Sequence, residues 1–151
     1  MRNTNEMELI FDSLSANEGF ARVAVAAFMT QLNPTVEEVA DAKTAISEAV
    51  TNAVIHGYDN DIHNIFIRCN IKEETIYIEV EDHGKGIEDV KKAMEPLFTT
   101  KPEMDRSGMG FSFMEAFMDH ICVDSVQGEG TTVKMQKTIG KGRKLWTTPS
   151  L

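Results

Sequence analysis

Glu48, Asn52 and His56 recur at intervals of four in SEAVTNAVIH. On a helix they share one face, each about 6 Å from the next. Asparagine is a poor helix-interior residue unless its side chain has a task. Its amide oxygen is a hard donor suited to Mg²⁺, which takes oxygen ligands and keeps several waters. A carboxylate one turn earlier is placed to accept a proton from an attacking hydroxyl or water. A solvated polar stripe would use the same spacing.

Glycine placement is the second source of chemistry. Gly84-Lys85-Gly86, Gly108-Met109-Gly110 and Gly128-Glu129-Gly130 are three Gly-x-Gly pairs. The last reads as a hairpin turn. The first two flank a long irregular segment, and the second opens a helix, where free backbone N–H groups and the positive dipole end suit a phosphate. No G-x-x-x-x-G-K-[ST] occurs and neither pair extends to G-x-G-x-x-G, so the phosphate loop and the dinucleotide fingerprint are both excluded. Asp82, at a strand end two residues before Gly84, can accept from an exocyclic amino group, or simply form a turn. Lys101 and Arg106 lie between the glycine clusters, where their charge can stabilise a transferring phosphoryl group.

These residues need elements to hold them. Met7, Leu9 and Phe11 alternate as a first strand. Residues 18–32 read as a helix with Phe20, Val23, Ala24, Ala27 and Phe28 as its apolar stripe, stopped by Asn33-Pro34. Thr35 with Glu38 forms a capping box, and apolar residues from Val39 to Val54 continue with helical period until Gly57, expected as the C-cap. Runs 62–71 and 75–81 read as a hairpin. From Asp82 to Gly110 at most one short helix fits, near 87–94, and long irregular segments in compact domains are usually functional. A helix over 111–119, striped by Phe113, Met114, Phe117 and Met118, precedes strands 121–126 and 132–139. The order suggests a two-layer α/β sandwich, a mixed sheet with helices on one face.

The chain has 151 residues with 24 acidic and 15 basic, hence 15 − 24 = −9. That length suits one domain, and the acidic balance argues against a direct nucleic-acid binder. The longest apolar run, Val23 to Met29, is seven residues, against about 20 for a membrane span. The N-terminal MRNTNEMELIF lacks a signal-peptide pattern, so a cytoplasmic protein is expected, with Cys69 and Cys122 unbridged. Four histidines and two cysteines lack zinc spacing.

SEAVTNAVIHGY, DHGKGI, SGMGFSFM and GEGTT, in that order, resemble the GHKL fold of ATP-binding proteins. That superfamily holds gyrase-type ATPases, ninety-kilodalton chaperones, mismatch-repair clamps and histidine kinases. Its asparagine box corresponds to Glu48 and Asn52, its first glycine box to Asp82, Gly84 and Gly86, and its second to Gly108 and Gly110. FARV, PLFTTKPE, RSGMGFSFME and FMD narrow the similarity to the bacterial anti-sigma serine kinases, over about Met7 to Ile139. The resemblance implies a domain over 1–139, with 140–151 expected as a disordered basic tail. It implies a homodimeric kinase that uses ATP and Mg²⁺. Such a kinase silences a sigma factor of the sigma F type of spore-forming bacilli and phosphorylates a serine of an anti-anti-sigma protein. By the same resemblance Asn52 is the Mg²⁺ ligand and Glu48 the base, while Asp82 reads adenine with Gly84 and Gly86 beside it. Thr99, Thr100, Lys101, Arg106, Ser107, Gly108, Met109 and Gly110 would form a lid over the phosphates, with Arg106 acting in transfer. Thr131 would reach the adenine pocket through water, and Arg22 would lie on the partner-binding surface. The alternative is a non-catalytic module that binds ATP only to sequester its partner.

Overall fold

The computed structural model describes residues 4–95 and 110–140. Strand β1 (Thr4–Asp12) leads into helix α1 (Ala16–Met29), a 3-10 turn (Thr30–Leu32) and helix α2 (Val36–Asn52), which runs on as one π-helical turn (Ala53–Gly57). The hairpin β2 (Asn64–Lys72) and β3 (Thr75–Asp82) follows. Then come the short α3 (Val90–Ala93), α4 (Gly110–Phe117), β4 (His120–Val126) and β5 (Gly130–Thr138). The capping box is present: Glu38 N–H donates to Thr35 Oγ1 at 3.0 Å, and Thr35 N–H to Glu38 Oε1 at 2.8 Å.

The sheet order is β1-β2-β3-β5-β4, and every neighbouring pair is antiparallel. This corrects the expected mixed sheet. A single crossover helix would bring the next strand back parallel. Here α1 and α2 form a helical hairpin that returns the chain to the end where β1 stopped; Ser13 N–H donates to the His63 carbonyl at 2.8 Å. β2 must therefore run backwards along β1. β4 has the direction of β3, but β5 is inserted between them.

The two-layer arrangement with helices on one face holds. Ile65, Ile67, Cys69 and Ile71 of β2, Ile76, Ile78 and Val80 of β3, and Val133 and Met135 of β5 are buried at period two. They pack beneath Ala21, Val25 and Met29 of α1, Ala45, Ile46 and Val50 of α2, and Met114 of α4. A fully buried aliphatic side chain contributes about 1.5–3 kcal/mol, so this layer is the main source of cohesion. The opposite face is solvated, with Arg68 ion-paired to Glu8 at 3.0 Å, to Glu79 at 3.5 Å, and to Glu81.

α1 presents a face rotated from the one its spacing suggests, with Phe28 of the expected stripe still partly buried against the core and Ala27 exposed. Ala21, Val25 and Met29 turn inward, whereas Phe20 and Val23 are 54% and 57% exposed. Two apolar stripes fit the same helix, and the one that carries Ala21, Val25 and Met29 is the one that packs into the core beside α2. Cys69 is buried, Cys122 is exposed and both are free. Among the described residues no helix is long and apolar enough to cross a membrane.

Candidate functional site

The π-helical turn at the end of α2 carries Ala53, His56 and Gly57 to the wall of a cavity of about 670 Å³. Such a turn reopens the hydrogen-bond ladder at a helix end and re-aims the side chains it carries. Asn52 lines the cavity from the last turn of α2; Val80 and Asp82 of β3 and Thr131 and Val133 of β5 form its floor. The loop from Lys85 to Asp89 and Gln127 and Gly128 of the β4–β5 turn close other sides, with Gly110 and Phe111 at the start of α4.

Asp82 is 6% exposed at the end of β3, opposite Thr131 in the ladder. Burial pushes its carboxyl up from 3.8 to about 6, opposed by the Gly84 N–H, the nearby His83 and the Thr131 N–H. The Gly84 N–H donates to Asp82 Oδ1 at 2.8 Å, which fixes the carboxyl plane. Gly57 is not a left-handed C-cap, since the helix continues to Tyr58. It is small because a β-carbon there would meet the Asp82 carboxyl at 2.9 Å.

The first glycine pair is docked onto the last. Gly86 has φ +76°, and a β-carbon on it would lie 2.4 Å from the Val126 carbonyl oxygen. Gly128 N–H donates to the Lys85 carbonyl at 2.6 Å. Ile87 N–H donates to Ser125 Oγ at 2.7 Å, and Ser125 Oγ lies 2.9 Å from Thr131 Oγ1. The third glycine pair is thus a hairpin turn that also walls the site. Ser125 carries no sequence signal; only its register opposite Thr131 reveals it.

At the opposite end of the cavity α4 begins against α2. A β-carbon on Gly110 would lie 3.2 Å from Asn52 Nδ2, 3.4 Å from Asn52 Oδ1 and 3.3 Å from Glu48 Oε2. The amide and the carboxylate therefore converge at the N-terminus of α4. Among the described residues no cluster of three His, Cys, Asp or Glu side chains could hold a metal. One asparagine oxygen with a carboxylate near it matches Mg²⁺, which is held by few protein groups plus water and phosphate oxygens.

Asn52, Asp82, Gly86, Gly110 and Thr131 thus line one cavity, with Glu48 at its Asn52 corner. Gly84 lies behind it, against Gly57, facing a shallower depression of about 430 Å³ that also takes in Tyr58 and His83. Arg22 is elsewhere, exposed on α1 and 3.6 Å from Glu18. Thr99, Thr100, Lys101, Arg106, Ser107, Gly108, Met109 and the tail beyond Gly140 lie outside the described residues. His56, which follows Glu48 and Asn52 on the same helix face, and Phe111 also line the cavity.

Residues 12–137 match the model of the histidine kinase-like ATPase domain. An anti-sigma F factor of Caldanaerobacter subterraneus subsp. tengcongensis is 59% identical over 95% of this chain and 100% of its own length. One from Bacillus licheniformis is 51% identical over 93% of this chain and 97% of its own. Among solved structures, the RsbU and RsbW domains of Rv1364c from Mycobacterium tuberculosis superpose with a TM-score of 0.66 at 19% identity, over 89% of this chain and 32% of that one. That likeness shows the fold. With its cavity built from the asparagine helix and the glycine loops, the chain belongs to the histidine kinase-like ATPase family and, within it, to the anti-sigma F factors.

Proposed function

We propose that this chain is an ATP-dependent protein serine kinase that also binds and silences a sigma factor of the sigma F type. The observation that carries the reading is the convergence of Glu48 Oε2 and the Asn52 amide at the N-terminus of α4, at one end of a cavity floored by Asp82. In the ionised form the Asp82 carboxylate accepts from the adenine amino group, while Val80, Ile87 and Val133 supply apolar surface for the base. The triphosphate then extends toward Gly110, where backbone N–H groups and the helix dipole favour negative charge. Asn52 Oδ1 would hold Mg²⁺, which when bound neutralises charge on the phosphate oxygens.

Glu48 would act on the acceptor. It takes the serine hydroxyl proton as the serine oxygen bonds to the γ-phosphorus and the bond to the β,γ-bridging oxygen breaks. The products are phosphoserine on the anti-anti-sigma protein and ADP. Lys101 and Arg106 would bring positive charge over that phosphoryl group, with Thr99, Thr100, Ser107, Gly108 and Met109 completing the lid. The outer stripe of α1, where Phe20 and Val23 flank Arg22, supports a protein-binding surface for the sigma factor and for a homodimer.

Purified chain, a candidate anti-anti-sigma protein and γ-labelled ATP in Mg²⁺ buffer test this directly. Label on a serine of the substrate is expected. ATP binding and sigma-factor capture without transfer would instead identify a non-catalytic module.

A further inference from the structure

Lys137 occupies an inward position of β5, between Met135 and Ile139, where the alternation calls for an apolar side chain. It is 8% exposed. A buried ammonium is costly unless it is fully engaged. Its Nζ donates to the Phe117 carbonyl at 2.6 Å and lies 3.8 Å from Asp41 Oδ2. Phe117 ends α4, so that carbonyl is one of those a helix leaves without an intrahelical partner, and a cation suits that end.

Asp41, Glu48 and Asn52 are seven and four residues apart, and thus lie on one stripe of α2. Gly110 at the start of α4 meets that stripe at Glu48 and Asn52; Phe117 at its end is tied through Lys137 to Asp41. α4 therefore lies antiparallel along α2. Apart from Gly110 and Met114 its residues are only partly buried or exposed, so the tie at Phe117 adds a fixed point to the packing that seats α4 on α2.

We infer that Lys137 is a positioning residue: by clamping the last carbonyl of α4 to Asp41, it holds Gly110 against Glu48 and Asn52. For catalysis this rests on the nucleotide reading above. Lys137→Met keeps the length and apolar stem while removing charge and donors. The measurements use the full chain: amide hydrogen exchange without nucleotide, then calorimetric titration with Mg-ATP and with adenosine. α4 amides should exchange about tenfold faster while those of β1–β3 are unchanged, and Mg-ATP affinity should fall about tenfold with adenosine affinity intact. Lys137→Arg should restore both. Unchanged α4 exchange overturns the clamp. Equal losses for ATP and adenosine with faster exchange throughout the sheet also overturn it, as they mean general loosening. If the wild-type chain binds no Mg-ATP, the nucleotide reading fails while α4 exchange still decides the clamp. Should Lys137→Met not fold, Asp41→Asn carries the same comparison, with a smaller effect in the same direction expected.

Discussion

The carbonyl oxygen of Gly57 lies 2.1 Å from where a β-carbon on Gly84 would sit. The end of the α2 region and the first glycine loop thus touch backbone to backbone, and Lys85 N–H donates to that same carbonyl at 3.0 Å. One contact joins the helix that carries Asn52 to the loop that follows Asp82.

Gly84→Ala should therefore separate the two walls of the site. Overpacking of this kind costs about 1–3 kcal/mol, and the displaced loop also takes the Gly84 N–H from Asp82. A denaturant melt should show the loss of stability, and titration with Mg-ATP should show affinity reduced well beyond it. A stable variant with wild-type affinity would mean that the loop can shift without disturbing the cavity.

Asn52→Ala should abolish Mg²⁺-dependent ATP binding while the fold persists. The substitution lies at the end of α2 and is half-buried, so its structural cost should be under about 1 kcal/mol. Calorimetry with and without Mg²⁺, beside a melting curve, separates the two effects.

Asp82 ties pH to both binding and stability. Its carboxyl is raised from 3.8 to about 6 in the folded chain, so the folded state holds this proton where the unfolded state has released it. The stabilising proton is fully present below 3.8 and is lost as pH rises through about 6. Asp82→Asn should consequently gain stability over the parent as pH rises from 4 to 7, by up to about 3 kcal/mol, with no gain at pH 3. Melts across that range check the sign.

Nucleotide binding should respond to pH in the opposite sense. Wild-type ATP affinity should weaken as pH falls through about 6, because the protonated carboxyl is a poorer acceptor for the adenine amino group. Asp82→Asn should lose discrimination between ATP and GTP, a difference on the order of 1–3 kcal/mol. Competition titrations with the two nucleotides give the ratio.

Glu48→Ala should still bind Mg-ATP and still capture the sigma factor, yet transfer phosphate more slowly by about 10²–10⁴. Phosphorylation and sigma pull-down on one preparation make the comparison. Wild-type transfer would place the base elsewhere; loss of sigma binding would mean that both activities share this residue.

Much of this was legible in the chain itself. The four-residue spacing of Glu48 and Asn52 and the glycines beside Asp82 have local causes: helical period, capping and turn chemistry act within a few residues, so the chain alone displays them. The helix spans and the hairpin follow for the same reason. Strand direction does not. It depends on where the α1–α2 hairpin delivers the chain, at Ser13 and His63, and no local signal encodes that. Nor does composition choose between two apolar stripes on α1; the tertiary fold buries Ala21, Val25 and Met29 and leaves Phe20 and Val23 outward. The convergence of Asn52, Asp82, Gly110 and Thr131 on one cavity is likewise tertiary, since it requires the β3–β5 register and the seating of α4 on α2. Ser125 and Lys137 were silent for the same reason: each acts through a neighbour that only folding supplies.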